Sequence, residues 1–380
     1  VVDCVSMLGV DARRSPAHEL AQVPGIDSFH ANQIAKQAAQ GKFTNRAELL
    51  SHMQNLSEVA TRQSIGFMRV FGSSETLDGT LVRGAGLAQL KALTDEMREV
   101  SGRYDVPILI DQEGGRVARL KPPVWSKFPS ARQLAQAKGD SLRATYLSTR
   151  LLAAELVEVG INVDCLPLAD IPVPGAHDII GDRAFGLDAK TVSTHARAQA
   201  NGLMDAGVIP VLKHIPGHGR AMLDSHEALP VVTASLAELE ATDFKPFKEL
   251  CDLPMGMTAH VVYNALDPER MATLSAKAIG YIRHDIGFDN LLMSDALWMK
   301  SMTGSYAERA QGALAAGCDV VLHCNGIHEP DTEILRATAD ACAPLSGKSL
   351  ERALRAVQMP LTDVVFDAKE AKRELEIMLA

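Results

Sequence analysis

A chain of 380 residues, 47% of them hydrophobic, can bury a large core, and its length suits one barrel of about 250 residues plus an addition. A formal charge of −9 and a pI near 5.8 argue against a general polyanion binder, because phosphate affinity needs clustered Lys and Arg. Six cysteines without a CxxC spacing read as reduced, mostly buried thiols, and neither a charged leader nor a run of about 18 apolar residues is seen, so a cytoplasmic protein with no membrane partner is expected.

Residues 1–83 differ in character from the rest of the chain. AHELAQV, ANQIAKQAAQG, RAELLSHM and SEVATRQSIGFMRV read as short helices, with a turn at Pro24 and Gly25 and a stop at Gly41. Two short helices around VPGI resemble a helix-hairpin-helix, and the wider segment resembles the corresponding region of Tex-type RNA-binding transcription accessory proteins. In such hairpins backbone N–H groups at a helix start receive a phosphate. The second hairpin departs from that pattern, with Ser57 where a turn glycine is expected. Eight Lys/Arg against eight Asp/Glu make the segment neutral, and a neutral module binds phosphate weakly. A packing appendage is therefore expected, and nucleic acid is not the expected partner.

From GAGLAQLKALTDEMREVSGRY onward the pattern becomes βα. This stretch has helical spacing, Gly102 stops it, and VPILID at 106–111 reads as a buried strand ending in DQEGGRVARL. Asp111, Glu113, Arg116 and Arg119 surround a Gly pair there, a turn that brings charges beside a ligand or only a salt-bridged loop. LRATYLSTRLLAAELVEVG predicts a helix closed by Gly160, INVDCLPLADI a strand, and IIGDRAFG a loop carrying Arg183. An Arg so placed can fork onto hydroxyls or a carbonyl, though a lone Arg is more often a surface ion pair. TVSTHARAQANGLMDAG is helical and leads into VIPVL at 208–212, whose unbroken apolar run predicts a parallel strand covered on both faces.

Behind that strand KHIPGHGRAMLDSH packs Lys213, His214, His218, Arg220, Asp224 and His226 into fourteen residues. Ligands gather at the carboxyl ends of parallel strands, and Pro216, Gly217 and Gly219 forbid a helix. A carboxylate two residues from an imidazole can fix its tautomer and raise its basicity, which makes a proton shuttle near neutral pH. Three His and an Asp could also hold zinc, but a Gly/Pro loop lacks the helix that a zincin spacing needs, so no metal is expected. SLAELEATDFKPFKEL then predicts one amphipathic helix, and PMGMTAHVVY at 254–263 a strand carrying His260, a lone His of the kind that is more often structural. LLMSDALWM ends at Ser294 and Asp295, where a carboxylate suits a nucleophile or an oxocarbenium stabiliser. YAERAQGALAAG, CDVVLHCNG and two terminal helices complete the chain.

KHIPGHG with DSH, DQEGGRV, the Arg183 loop and LLMSDAL resemble the signatures of glycoside hydrolase family three, the NagZ-type β-N-acetylglucosaminidases in particular, and the resemblance covers residues 84–380. It implies Asp295 as nucleophile, His226 as general acid/base with Asp224 as its partner, and Asp111, Arg119, Arg183, Lys213 and His214 as sugar-binding residues. Ala184 and Ala296 depart from the family's usual pattern. The resemblance further implies a retaining enzyme without cofactor, acting on a GlcNAc-containing muropeptide or disaccharide of recycled cell wall. The expected fold is α/β, a (β/α)8 TIM barrel over 84–380 that is incomplete or atypical at its first βα unit, preceded by the helix-hairpin-helix-like segment 1–83. Six strands are counted, at 107–111, 161–165, 208–213, 254–260, 291–295 and 319–324, and GFMRVF at 66–71 is a candidate for another. Residues 1–83 are expected to cover or complete the edge left by a missing strand. Two rivals remain: another exo-β-glycosidase of the same family, and a nucleic-acid-binding protein built on the hairpins with an inert barrel.

Overall fold

The computed structural model describes residues 87–103, 105–122, 124–223, 229–323, 332–358 and 365–380. The hairpin segment 1–83, the GFMRVF run, the boundary near residue 83, and Asp224 with His226 lie outside the described residues. The chain divides into two compact units, residues 1–66 with 95–106, and residues 67–94 with 107–380. Of the first unit, the described part is the second half of helix α1 (Leu87–Ser101) and the turn after it, where Gly102 takes φ +67° and its N–H closes on the Glu99 carbonyl at 3.2 Å.

The second unit alternates strand and helix. In chain order come β1 (Leu109–Ile110), α2 (Ala131–Ala135), α3 (Ser141–Glu158), β2 (Val163–Asp164), α4 (Ala189–Met204), β3 (Ile209–Ile215), β4 (Val231–Val232), α5 (Leu236–Ala241) and α6 (Lys245–Glu249). They are followed by β5 (Met255–Thr258), β6 (Val262–Tyr263), α7 (Ala276–Tyr281), β7 (Leu291–Ala296), α8 (Tyr306–Ala316), β8 (Val320–Leu322), α9 (Thr332–Asp340), α10 (Gly347–Val357) and α11 (Ala368–Leu379). β1, β2, β3, β5, β7 and β8 form one parallel sheet in that order, so neighbours along the chain are neighbours in space, as βα crossovers require. All six strands expected from the sequence are present, and the sheet is the parallel wall of an α/β fold.

Three expectations need correction. The run 254–263 is not one strand: β5 stops at Thr258, and Val262–Tyr263 pairs instead with Val231–Val232 in a separate two-stranded sheet. SLAELEATDFKPFKEL is not one helix. Pro246 sits in the first turn of α6, where its missing N–H costs nothing, whereas inside a continuous helix its ring would clash with the preceding turn. Among the described residues the carboxyl end carries three helices after β8, not two.

The core lies between sheet and helices. Leu212, Ile215 and Leu292 of the sheet meet Val192, Ala196 and Ala200 of α4, with Phe185, Phe244, Phe247 and Phe288 filling the spaces between. Small residues let the helices approach: a methyl at Gly202 of α4 would stand 2.8 Å from the Tyr146 carbonyl of α3. The helix ends carry their own signals. Ser305 and Glu308 make a capping box at the start of α8, and Gly317 ends it at φ +113°. At the amino end of β8, buried Asp319 accepts from the Leu292 N–H (2.9 Å), Arg283 (2.7 Å), Arg352 (3.1 Å) and Ser349 (2.7 Å), a network that fixes the sheet at the end away from the polar loops. Among the described residues no helix is long and apolar enough to cross a membrane.

Candidate active site

The polar residues collect at the carboxyl ends of the parallel strands. Asp111 and Glu113 follow β1, Asp170 follows β2, Lys213 and His214 are among the last residues of β3, His260 follows β5, and Asp295 lies at the end of β7. Four of the sequence-predicted residues form one network. Lys213 Nζ lies 2.9 Å from Asp111 Oδ1 and 2.6 Å from Glu113 Oε1, Arg119 reaches Asp111 Oδ2 at 3.3 Å, and Arg183 forks onto both oxygens of Glu113 at 2.8 Å each. Lys213 is 2% exposed, so its charge persists only because two carboxylates answer it. Burial works against that charge, but Asp111 and Glu113 outweigh burial and raise the ammonium above its ordinary range. The same pairing pulls the carboxylates down: burial opposes it, yet Arg183 and Lys213 hold Glu113 at about 2, and Lys213, Arg119 and Arg183 hold Asp111 well below the usual carboxylate range.

The loop carrying these carboxylates is closed by backbone chemistry. Gly114 takes φ +89°, and any side chain there would run into the Pro129 carbonyl. Gln112 braces the loop, its Oε1 accepting the Arg119 and Leu120 N–H groups at 2.8 and 3.0 Å and its Nε2 donating to the Leu120 carbonyl at 2.9 Å.

His214 is held differently. Its Nδ1 is 2.7 Å from Asp170 Oδ2, and Asp170 Oδ1 also accepts the His218 N–H at 2.6 Å. One buried carboxylate thus ties the two histidines of KHIPGHG together, with their rings 5.6 Å apart. The carboxylate holds a hydrogen on His214 Nδ1 and so fixes the orientation of the ring. Burial, with His214 adding to it, pushes His218 down to about 4 against the opposing pull of Asp170 and Asp295, so His218 is neutral and lies within electrostatic reach of Asp295. Gly219 permits this chain path, since a methyl there would collide with the Ile171 carbonyl.

Asp295 is 7% exposed, and its Oδ1 accepts the Ala296 N–H at 2.7 Å. His260 is fully buried, with Nδ1 2.8 Å from Thr273 Oγ1 and Nε2 3.2 Å from the Ala296 carbonyl, so it braces the backbone beside Asp295. Arg220 stands apart from this constellation, paired with Asp243 at 2.7 Å and Glu238 at 2.9 Å. Two residues join the site that the sequence reading assigned no role. Glu113 was visible in the DQEGG cluster, and its place two residues beyond Asp111 on a Gly turn was the available signal. Asp170 had only its position near the end of INVDCLPLADI.

The chain matches the "Glycosyl hydrolase family 3 N terminal domain" over residues 50–358. It belongs to glycoside hydrolase family 3. The β-hexosaminidase of Chromobacterium violaceum is 38% identical over 274 residues, which are 70% of this chain and 76% of that protein. The β-hexosaminidase of Bordetella avium is 38% identical over 246 residues, 63% of this chain and 70% of the relative. Among solved structures, NagZ from Neisseria gonorrhoeae in complex with N-trifluoroacetyl-D-glucosamine superposes with a TM-score of 0.68 at 29% identity, covering 78% of this chain and 88% of that one. A glycoside hydrolase family 3 β-N-acetylglucosaminidase from Paenibacillus sp. gives a TM-score of 0.68 at 28% identity, covering 83% and 68%. The chain is accordingly a glycoside hydrolase of the NagZ-like branch of that family.

Proposed function

We propose that this β-N-acetylhexosaminidase-type enzyme is a retaining exo-β-N-acetylglucosaminidase that removes terminal GlcNAc from cell-wall fragments, with Asp295 as nucleophile. The observation that carries the reading is the placement of a buried carboxylate, Asp295, at the carboxyl end of β7, with its Oδ1 oriented by the Ala296 N–H. Attack of Asp295 on the anomeric carbon expels the aglycone oxygen and forms a glycosyl-enzyme, and water then enters from the face the aglycone left, displacing the Asp295 carboxylate and restoring the β configuration. His226 protonates the leaving oxygen and later takes the proton of the water, with Asp224 setting its basicity. These two roles rest on the DSH motif alone.

The remaining residues suit a polyhydroxylated ring. Asp111 and Glu113 are held ionised by Lys213 and the two arginines, so they accept hydroxyl hydrogens, while Lys213 and Arg183 donate. His214 offers a ring held in one orientation by Asp170. The names of the relatives support a hexosamine, and the N-acyl glucosamine in the NagZ complex is held by a protein of the same fold. We further propose that the six-stranded sheet belongs to a (β/α)8 barrel that is incomplete or atypical at its first βα unit, and that the enzyme acts in the cytoplasm on recycled peptidoglycan, where the free thiols of Cys165, Cys251, Cys318 and Cys342 stay reduced. No step of this chemistry calls for a cofactor. Turnover of a chromogenic β-GlcNAc glycoside against the matching β-glucoside tests it. A preference of at least a hundredfold for GlcNAc is expected, and a preference for glucose would assign the chain to another exo-β-glycosidase activity of the family.

A further inference from the structure

Beneath the Lys213 network lies a carboxyl group with no role in the chemistry above. Asp164, on β2 between β1 and β3, has no exposed surface. Its Oδ1 accepts the Gln112 N–H at 3.0 Å, and its Oδ2 is buried without a hydrogen-bond partner among the described residues. The charged groups that act on it are Asp111 and Glu113 beyond β1 and Lys213 on β3, with Arg183 bound to Glu113 and Arg119 bound to Asp111. Lys213 is already committed at 2.9 and 2.6 Å to the other two carboxylates. A third negative charge here would be dry, half-bonded and placed beside two like charges, the arrangement that buried ions do not survive.

We propose that Asp164 works as an uncharged carboxylic acid, a positioning residue that holds the Gln112 N–H and so keeps Asp111 and Glu113 in register with Lys213. The inference rests on reading that network as the sugar site. Gln112 lies between Asp111 and Glu113 in sequence, its side chain braces Arg119 and Leu120, and its backbone N–H is anchored on Asp164. Neutral Asp164 leaves the two cations of Lys213 and Arg183 to Asp111 and Glu113. Ionised Asp164 would compete for Lys213 and loosen both. Burial first, with Asp111 and Glu113 adding to it, raises the Asp164 carboxyl well above its ordinary range, against the Gln112 N–H and Lys213. The unfolded chain ionises this acid in the ordinary carboxylate range while the folded chain does not. The associated stability is therefore whole below that range and is lost as pH rises through the raised value.

The test compares Asp164→Asn and Asp164→Ala in the full chain, using a chromogenic β-GlcNAc glycoside and infrared difference spectra. Asn reproduces a neutral acid, so D164N is expected to keep kcat/KM within threefold of the parent at neutral pH and to lack the parent's loss of activity at alkaline pH. D164A is expected to lose tenfold or more, chiefly through KM. The parent should show a protonated-carboxyl band at neutral pH that D164N lacks. A D164N variant as impaired as D164A, an alkaline limb unchanged by D164N, or no protonated band in the parent would overturn the proposal. If the parent does not turn over the glycoside at all, the sugar-site reading fails, and the infrared band still decides whether Asp164 carries its proton.

Discussion

Replacing Glu113 by Gln removes one charge and leaves the shape, and the structure sets the size of the effect. Glu113 is the sole carboxylate on Arg183 among the described residues, with two bonds of 2.8 Å, and one of two on Lys213. Its carboxyl is held from an ordinary 4.5 down to about 2. At roughly 1.4 kcal/mol for each pH unit, that contributes about 3 kcal/mol to folding at neutral pH. Breaking a buried pair by removing one partner costs about 3–5 kcal/mol, and the lower end applies because Lys213 keeps Asp111. Glu113→Gln should therefore lower the melting temperature by roughly 6 °C, at about 2 °C per kcal/mol for a domain of this size. Turnover of an aryl β-GlcNAc glycoside should fall by about a hundredfold in kcat/KM as Arg183 loses its orientation. The pH dependence supplies the sharper check. A depressed carboxyl contributes stability above its ordinary pKa and loses it as pH falls through the folded value, so the deficit of E113Q should shrink between about pH 4.5 and pH 2. A variant that melts and turns over like the parent, or a deficit that stays constant in urea titrations down that range, would refute the reasoning.

Asp295→Ala should abolish turnover with an unchanged circular dichroism spectrum, and near-parental activity would remove the nucleophile assignment. His226→Ala should slow substrates with poor leaving groups far more than activated aryl glycosides, since only the former need protonation, and equal losses on both would exclude the acid role. Asp170→Asn removes the charge that holds His214 Nδ1 and the His218 N–H. It should raise KM about tenfold while kcat changes less, whereas a selective loss of kcat would place His214 in the chemical step rather than in binding. EDTA should leave the rate unchanged, and a loss that zinc restores would mean that the histidine-rich loop holds a metal after all.

The parallel sheet was legible because an unbroken apolar run such as VIPVL lacks the alternation of a half-exposed strand. The helix ends were legible too, since Gly102 and Gly160 both take positive φ where the sequence placed a stop. Short elements escaped. β4 is two residues long, and nothing in VV distinguishes it from loop, while β6 was read as the end of one strand over 254–263 rather than as a separate two-residue strand. The break between α5 and α6 turns on where Pro246 falls relative to a helix start, which composition alone leaves open. In the site, the position of a residue behind a strand was readable, whereas its partner was not. The fork of Arg183 onto Glu113 joins residues 70 apart, and the bond from His214 to Asp170 joins residues 44 apart. Such pairs follow from strand order and register rather than from any local motif.

A retaining mechanism through Asp295 requires a covalent sugar on that residue, and the adduct can be weighed. Exposure of the enzyme to an activated, slowly hydrolysed fluoro analogue of a β-GlcNAc glycoside, followed by acid quench and peptide mapping by mass spectrometry, reports which residue carries the glycosyl group. A single adduct on the peptide containing Asp295, absent from D295A, is the predicted result. Steady turnover with no adduct, or an adduct on another carboxylate, would contradict it.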